Sequence, residues 1–144
     1  MRASGILLPV SSLPSKYGIG CFSKSAFEWI DFLQESGQTF WQILPLGPTS
    51  YGDSPYQSFS TFAGNPYFIS LEELIEEGLL TRAECESAQL GTNPSYVDYE
   101  KQYENRNPLL HKAYENSKKR EDAEFLKFEE EQKEWLPDYA LFMA

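Results

Sequence analysis

The feature that most constrains the fold is a strand–helix–strand pattern within the first 44 residues. Residues 5–10 form a short apolar run bounded by glycine, proline and serine, which predicts a buried strand. Phe27, Ile30 and Leu33 then recur at helical spacing. The β-branched and aromatic side chains of residues 39–44 predict a second strand. Because a helix joins the two strands, we expect an α/β fold in which they lie parallel, with a right-handed crossover.

Polar residues mark the ends of this helix. Ser25 and Glu28 have the spacing of a capping box, in which Ser25 is the N-cap and Glu28 reaches back to it. Gly37 is expected to end the helix, because glycine readily adopts the left-handed conformation that follows many helices. Residues 11–22 are rich in serine, proline and glycine and are predicted to form a loop before the helix.

The two halves of the chain differ in charge. Residues 1–70 hold three basic and four acidic residues, whereas residues 71–144 hold nine basic and 18 acidic ones. The first half is aromatic and nearly neutral, and the second is charged and helix-prone. We therefore divide the chain into an α/β portion, residues 1–70, and a helical portion, residues 71–144.

Helix signals dominate the helical portion. Capping-box patterns begin at Ser70 and at Thr81. Longer helices are predicted over residues 98–119, with a notch near Pro108, and over residues 121–135. Charges of both signs alternate along them, which is typical of solvated helix faces without chemistry of their own.

Several functional classes are excluded or disfavoured. The net charge of −10 argues against a nucleic-acid partner. Gly18 and Gly20 begin a dinucleotide-loop pattern, but Ser23 stands where the third glycine is needed. His111 is the only histidine and lies in the charged half, so it is interpreted as a surface or packing residue rather than a catalytic base.

The cellular setting follows from cysteine usage and hydropathy. Cys21 and Cys85 have neither the density nor the spacing of a disulfide framework or a zinc site, so we expect two reduced thiols. The apolar run at residues 6–8 is broken by Pro9 and is too short for a secretory signal. No stretch reaches the length of about 20 apolar residues that spans a membrane. We predict a soluble, cytoplasmic protein without a membrane partner.

A long loop over residues 45–66 carries the strongest functional signal. It follows the second predicted strand, so it lies at the carboxyl end of that strand, where ligands bind in α/β folds. Residues 51–60 mix aromatic rings with hydroxyl, carboxylate and amide groups, a combination that suits a sugar. The alternative is structural: Asp53 caps a turn and the aromatic rings only pack the loop.

Five stretches of sequence occur in a specific order and spacing. They read SGILLPVSSLP at residues 4–14, YGIG at 17–20, GQTFWQILPLGP at 37–48, GDSPYQSFS at 52–60 and AGNP at 63–66. Together they resemble the opening of the 4-alpha-glucanotransferase family, also called amylomaltase or disproportionating enzyme. The resemblance covers about the first half of the chain closely and the second half more loosely.

The resemblance implies a fold and a reaction. The fold would be the N-terminal part of a (β/α)8 TIM barrel, comprising its first two strands and part of an inserted helical subdomain. The reaction would transfer segments of alpha-1,4-glucan to acceptor sugars by a retaining double displacement that requires no cofactor and no metal. Substrates would be maltooligosaccharides and fragments of starch or glycogen. The family's catalytic carboxylates match nothing in this chain, so no catalytic residue is expected before residue 144.

The resemblance also assigns roles within the loop. Tyr56 resembles the family's tyrosine that stacks beside the sugar whose bond is cleaved. Ser54 is expected to hydrogen-bond a donor sugar. Asp53 and Gln57 are expected to hold the loop in shape.

The apolar residues 139–144 begin a buried helical stripe that has no evident partner in the sequence pattern. With a single strand–helix–strand unit, this predicts that the chain is a truncated piece of a larger enzyme and is inactive alone. Two alternatives stay open. The chain could be a non-catalytic glucan-binding module, or one piece of a split enzyme.

Overall fold

The computed structural model describes residues 2–91, 93–118 and 123–144. Its strands and α-helices are, in chain order, β1 (Gly5–Leu7), α1 (Lys24–Glu35), β2 (Phe40–Gln42), α2 (Leu71–Glu76), α3 (Arg82–Ser87), α4 (Tyr99–Lys101), α5 (Asn107–Ser117), α6 (Ala123–Glu131) and α7 (Leu136–Met143). Short 3-10 turns cover Val10–Ser12 and Pro66–Phe68, and a π-helical turn covers Gln102–Arg106.

The two strands are parallel, as predicted. Gly5 pairs with Phe40 and Leu7 with Gln42. The strands are shorter than predicted, because β1 gives way to Pro9, which lacks an N–H group, and the chain then turns. The prediction that β1 is buried is wrong, because Gly5 and Leu7 are exposed, Leu7 by 55%. In β2, Phe40 is 62% exposed. Within the described ranges the sheet has only two strands, so much of their surface faces solvent.

Helix α1 begins earlier than its capping pattern suggested. Ser23 is the N-cap residue, in an extended conformation, and Ser25 lies inside the first turn. The capping box predicted at Ser25 is therefore wrong. Glu28 forms an ion pair with Lys24 at 3.4 Å instead. Gly37 follows the helix with φ = 69°, which confirms its predicted role.

Two apolar clusters form the interior. The larger one lies among the helices of the second half, joined by one residue of the first half; its buried members are Tyr17, Leu71, Leu79, Leu80, Cys85, Leu90, Leu109 and Ala113. The smaller one lies between the sheet and α1; its buried members are Val10, Leu13 and Ala26. Since Tyr17 packs among residues 71–113, the two halves share a core.

Two buried polar residues join the halves further. Gln102 is fully buried and donates from Nε2 to the carbonyl oxygens of Tyr17 (2.8 Å) and Leu90 (2.5 Å). Arg106, one turn later, donates to the carbonyl oxygen of Ile69 (2.5 Å) and to Oε1 of Gln102 (3.3 Å). These bonds satisfy backbone carbonyl groups that the core would otherwise leave without hydrogen-bond partners.

The predicted helix boundaries hold in part. The hydroxyl of Ser70 accepts a bond from the N–H of Glu73 at 3.2 Å, and Thr81 forms a complete capping box with Glu84. The π-helical turn ends directly before α5, which confirms an interruption near Pro108. The helix predicted over 121–135 is shorter, since α6 ends at Glu131 and turns follow; its predicted start lies outside the described residues.

Candidate functional site

The loop of residues 45–66 folds over the carboxyl ends of both strands. Its base is closed by a bond from the N–H of Asn65 to the carbonyl oxygen of Leu46, at 2.8 Å. An antiparallel bridge between Thr49 and Ser58 closes it again nearer the tip. A β-carbon at Gly47 would collide with the Ser58 side chain, so a larger residue there would push the two arms apart. The loop is thus a closed, locally hydrogen-bonded unit.

A tight turn shapes the first arm of this loop. The N–H of Asp53 donates to the carbonyl oxygen of Ser50 at 3.0 Å, and the hydroxyl of Thr49 donates to Oδ1 of Asp53 at 3.3 Å. Gly52 and Asp53 both have positive φ angles, of 93° and 51°. Glycine adopts this region without strain, and aspartate tolerates it better than most residues because its short side chain bonds locally.

The structure separates the four predicted site residues. Tyr56 projects into solvent, 74% exposed, and lines a shallow cavity of about 510 Å³. Asp53 instead lines a small cavity of about 100 Å³ at the strand ends and also a larger cleft of about 870 Å³. Ser54 is half-buried between them, and its carbonyl oxygen accepts a bond from the N–H of Gln57 at 3.0 Å. The side chain of Gln57 is exposed.

An aromatic cleft beside the loop was not predicted. Tyr51 and Phe59 from the loop face Tyr103 from the helical half across a space of about 870 Å³. Tyr67 and Tyr99 also line it, with their ring centroids 5.9 Å apart. The sequence feature that could have indicated part of this cleft is the four-residue spacing of Tyr99 and Tyr103, which puts both on one helix face. Aromatic side chains around an open cleft offer stacking surfaces to a ring-shaped ligand.

Comparison with known proteins identifies the family. A sequence profile of 4-alpha-glucanotransferase matches residues 8–144. The chain belongs to the 4-alpha-glucanotransferase family. It is 54% identical to the 4-alpha-glucanotransferase of Clostridium butyricum over 94% of this chain, and 51% identical to that of Streptococcus pneumoniae serotype 4 over 99% of it. The resemblance stated from the sequence is confirmed.

A solved structure agrees with the sequence relatives. The chain matches an amylomaltase from Streptococcus agalactiae in complex with acarbose, with a TM-score of 0.93 and 46% identity over the whole of this chain. The match covers 29% of that amylomaltase, and the chain spans 28% of the two curated relatives. The described α/β arrangement is thus that of one segment of a 4-alpha-glucanotransferase.

Two of the tyrosines that line the cleft of this 4-alpha-glucanotransferase segment, Tyr67 and Tyr99, are not acid–base groups at neutral pH. Burial raises the pKa of Tyr67 to about 12, and the nearby Asp53 carboxylate adds to the shift. Burial also raises the pKa of Tyr99, although a hydrogen bond with Ser11 acts in the opposite direction. Both hydroxyl groups therefore keep their protons at neutral pH and are available as hydrogen-bond donors.

The remaining candidate groups lie outside the loop. His111 is exposed, with Nε2 at 3.9 Å from a Glu115 carboxylate oxygen, so its predicted surface position is confirmed. Cys21 and Cys85 are both buried, and burial raises the pKa of both thiols. Among the described residues, no group of three or more His, Cys, Asp or Glu side chains is arranged to hold a metal ion. The described helices include none that is long and apolar enough to cross a membrane.

Proposed function

We propose that this chain supplies the donor-sugar side of the active site in a longer, cytoplasmic 4-alpha-glucanotransferase. That enzyme transfers alpha-1,4-glucan segments from maltooligosaccharides, starch or glycogen fragments to acceptor sugars. Transfer proceeds by a retaining double displacement, in which one carboxylate attacks the anomeric carbon and another acts as acid and base. Both carboxylates belong to parts of the enzyme beyond residue 144.

The exposed ring of Tyr56 carries this proposal. It stands on a loop closed by backbone bonds, at the carboxyl ends of two parallel strands. An aromatic face held in solvent at this edge is suited to stack on the C–H face of a sugar. The hydroxyl of Ser54 forms a hydrogen bond with a donor sugar. Asp53 and Gln57 hold the loop in shape, and the Thr49–Asp53 bond supports that role.

The proposal also assigns each portion of the chain to a part of a larger fold. Residues 1–70 form the first two strands of a (β/α)8 barrel and its substrate loop, and residues 71–144 form part of an inserted helical subdomain. The parallel register of β1 and β2, the covering helix α1 and the likeness to amylomaltase support this assignment. The aromatic cleft supports a ligand longer than one sugar, because its volume of about 870 Å³ exceeds that of a single ring.

The test is a pair of substitutions in the complete enzyme. Tyr56→Ala should lower kcat/KM for maltotriose disproportionation by more than about tenfold, with much of the loss in kcat, because the flattened sugar of the transition state gains most from a flat ring. Tyr56→Phe should retain much of the activity. Tyr114→Ala, an exposed tyrosine on α5, is the matched control. An unchanged kcat in a folded Tyr56→Ala enzyme would remove Tyr56 from the site.

A second experiment separates the proposal from the alternatives. The 144-residue chain alone should give no glucose or longer maltodextrins from maltotriose, since the carboxylates are absent. A self-standing glucan-binding module would instead bind maltooligosaccharides by itself, which calorimetric titration detects. Disproportionation above a protein-free blank would overturn the assignment of the chemistry to later parts of the enzyme.

A further inference from the structure

Helix α7 packs against the substrate loop. The rings of Phe62 and Trp135 are stacked, with centroids 5.6 Å apart and planes inclined by 21°. Phe59 stacks on Tyr139 at 6.5 Å and contacts Phe142 at 5.7 Å. The sequence-based expectation that the apolar residues 139–144 lack a partner is therefore wrong for Tyr139 and Phe142, which contact the aromatic side of the loop. No residue of α7 is buried, however, and Leu141 stays 79% exposed, so the predicted buried stripe does not form within the described residues.

The helix presents these rings in a fixed orientation. Trp135 precedes α7, and its indole Nε1 donates to Oε1 of Gln132 at 2.8 Å. Its ring also meets that of Tyr139 at 5.9 Å, one helical turn away. A ring held by a hydrogen bond and by a neighbouring ring loses little freedom when a third ring stacks on it. Trp135 and Tyr139 thus form a prepared surface for the loop.

Hydrogen bonds within the loop join the residues that contact α7 to the segment that follows Tyr56. The hydroxyl of Ser60 accepts bonds from the N–H groups of Phe62 (3.3 Å) and Ala63 (3.0 Å), and the hydroxyl of Ser58 donates to the carbonyl oxygen of Ser60. These bonds make residues 58–63 a stiff unit. Tyr56 and Phe62 line the same cavity, so a shift of Phe62 alters the wall against which Tyr56 stands.

The contact is a surface restraint rather than a core. Phe59 remains 42% exposed and Phe62 70% exposed, although Phe59 stacks on Tyr139 and Phe62 on Trp135. Both phenylalanines thus lie at the surface, outside the two buried clusters. Removing the contact should free the loop without opening either buried cluster.

We propose that α7 is a positioning element for the substrate loop, with Trp135 and Tyr139 as its positioning residues. They hold Phe59 and Phe62, and through them the conformation that presents Tyr56 to its sugar. The helical portion, interpreted from its sequence as having no chemistry of its own, then contributes to catalysis indirectly. The kinetic part of this inference rests on the proposed function of Tyr56, whereas the restraint on the loop does not.

Hydrogen exchange in the complete enzyme tests the restraint. Trp135→Leu removes the planar surface, Trp135→Phe keeps one, and Phe62→Leu removes the same contact from the loop side. Phe128→Leu is the control, a half-exposed aromatic on α6 without a ring contact to the loop among the described residues. Exchange of the loop amides, followed by mass spectrometry, should quicken in both leucine variants of the contact and stay unchanged in Trp135→Phe and in the control.

A kinetic cycle tests the link to Tyr56. Trp135→Leu should lower kcat/KM for maltotriose about tenfold in the wild-type enzyme, because a small misplacement of a stacking ring weakens the transition state. In a Tyr56→Ala background, Trp135→Leu should lower kcat/KM by less than about twofold, since the residue through which Trp135 acts is gone. The conservative Trp135→Phe should restore most of the activity.

The outcomes distinguish the two proposals. Unchanged loop exchange in folded Trp135→Leu and Phe62→Leu enzymes would overturn the restraint by α7, even if Tyr56→Ala is impaired. Fully additive effects of Trp135→Leu and Tyr56→Ala would overturn the action through Tyr56. If Tyr56→Ala has normal kinetics while loop exchange quickens in the leucine variants, the proposed function fails and the restraint by α7 stands.

Discussion

Arg106 offers a sharp test of what holds the two halves together. Its side chain is buried, 1% exposed, and among the described residues no carboxylate lies within ion-pair distance. Burial lowers the pKa of the guanidinium group, as expected for a cation removed from water. Its hydrogen-bond acceptors are the neutral oxygens of Ile69 and Gln102, and its Nε has no hydrogen-bond partner within the described ranges. The Cys21 side chain and the Glu72 carboxylate act in the opposite direction to burial and offset part of this lowering of the pKa. The residue thus bears a desolvation cost that its two bonds only partly offset.

This arrangement predicts an unusual order of stability. Arg106→Ala leaves a cavity and two oxygens without their donor, which should cost about 3–5 kcal/mol. Arg106→Met fills most of the same volume and also removes the desolvated charge. The remaining cost is that of the two oxygens of Ile69 and Gln102 that lose their donor. We expect this cost to be about 1–2 kcal/mol, because Ile69 is partly exposed and water can reach its surroundings. Methionine should therefore be the milder replacement by about 2–3 kcal/mol.

The measurement is urea unfolding of the 144-residue chain, followed by far-ultraviolet circular dichroism. The midpoint should fall strongly for Arg106→Ala and slightly for Arg106→Met, with the same dependence on urea concentration in all three proteins. Lys133→Met, an exposed basic residue on the surface, controls for the loss of one positive charge. If the methionine and alanine variants are equally destabilised, the hydrogen bonds of the guanidinium group outweigh its desolvation and the reasoning fails.

Two further predictions concern pH and backbone conformation. Hydrogen bonding to Lys112 is the main cause that lowers the pKa of Glu84 to about 2, so Glu84 stabilises the fold above pH 4.5 and that contribution is lost as the pH falls towards about 2. Glu84→Gln should weaken the pH dependence of the thermal unfolding midpoint below pH 4.5. An unchanged pH dependence in that range would contradict the assignment to Glu84. Gly18→Ala should cost on the order of 3 kcal/mol or more, because φ is +78° and the new methyl group meets the Leu90 carbonyl oxygen. Gly37→Ala, at φ = +69° with open space around it, should cost only about 1–2 kcal/mol, and equal thermal shifts for the two variants would refute the steric argument.

Features that depend on neighbouring residues in the chain could be predicted well. The capping box at Thr81 and the glycine after α1 lie where the sequence indicated, because a cap needs only a side chain and the backbone within three residues. The same reasoning failed at Ser25. Ser23, two residues earlier, had an extended backbone available, and Glu28 paired with Lys24 instead of reaching back.

The candidate site shows the same division. The mixed composition of the loop pointed to a sugar, and its order of motifs identified the family. The cleft between Tyr51 and Tyr103 was missed, because its walls come from segments far apart in the chain. No local pattern indicates that a tyrosine on a charged helix faces a loop that precedes it by some 50 residues.

The amino-acid sequence by itself determined the strand–helix–strand unit, most helix starts, the position of the loop of residues 45–66 and the family. Only the tertiary structure decided that Gln102 and Arg106 donate from buried side chains to the carbonyl oxygens of Tyr17 and Ile69. The packing of α7 against the loop that carries Tyr56 was likewise decided only there. The physical reason is the range of the forces involved. Turns, caps and helical periodicity depend on hydrogen bonds and sterics within a few residues. Buried hydrogen bonds and ring stacking between distant segments depend on positions that exist only once the whole chain has folded.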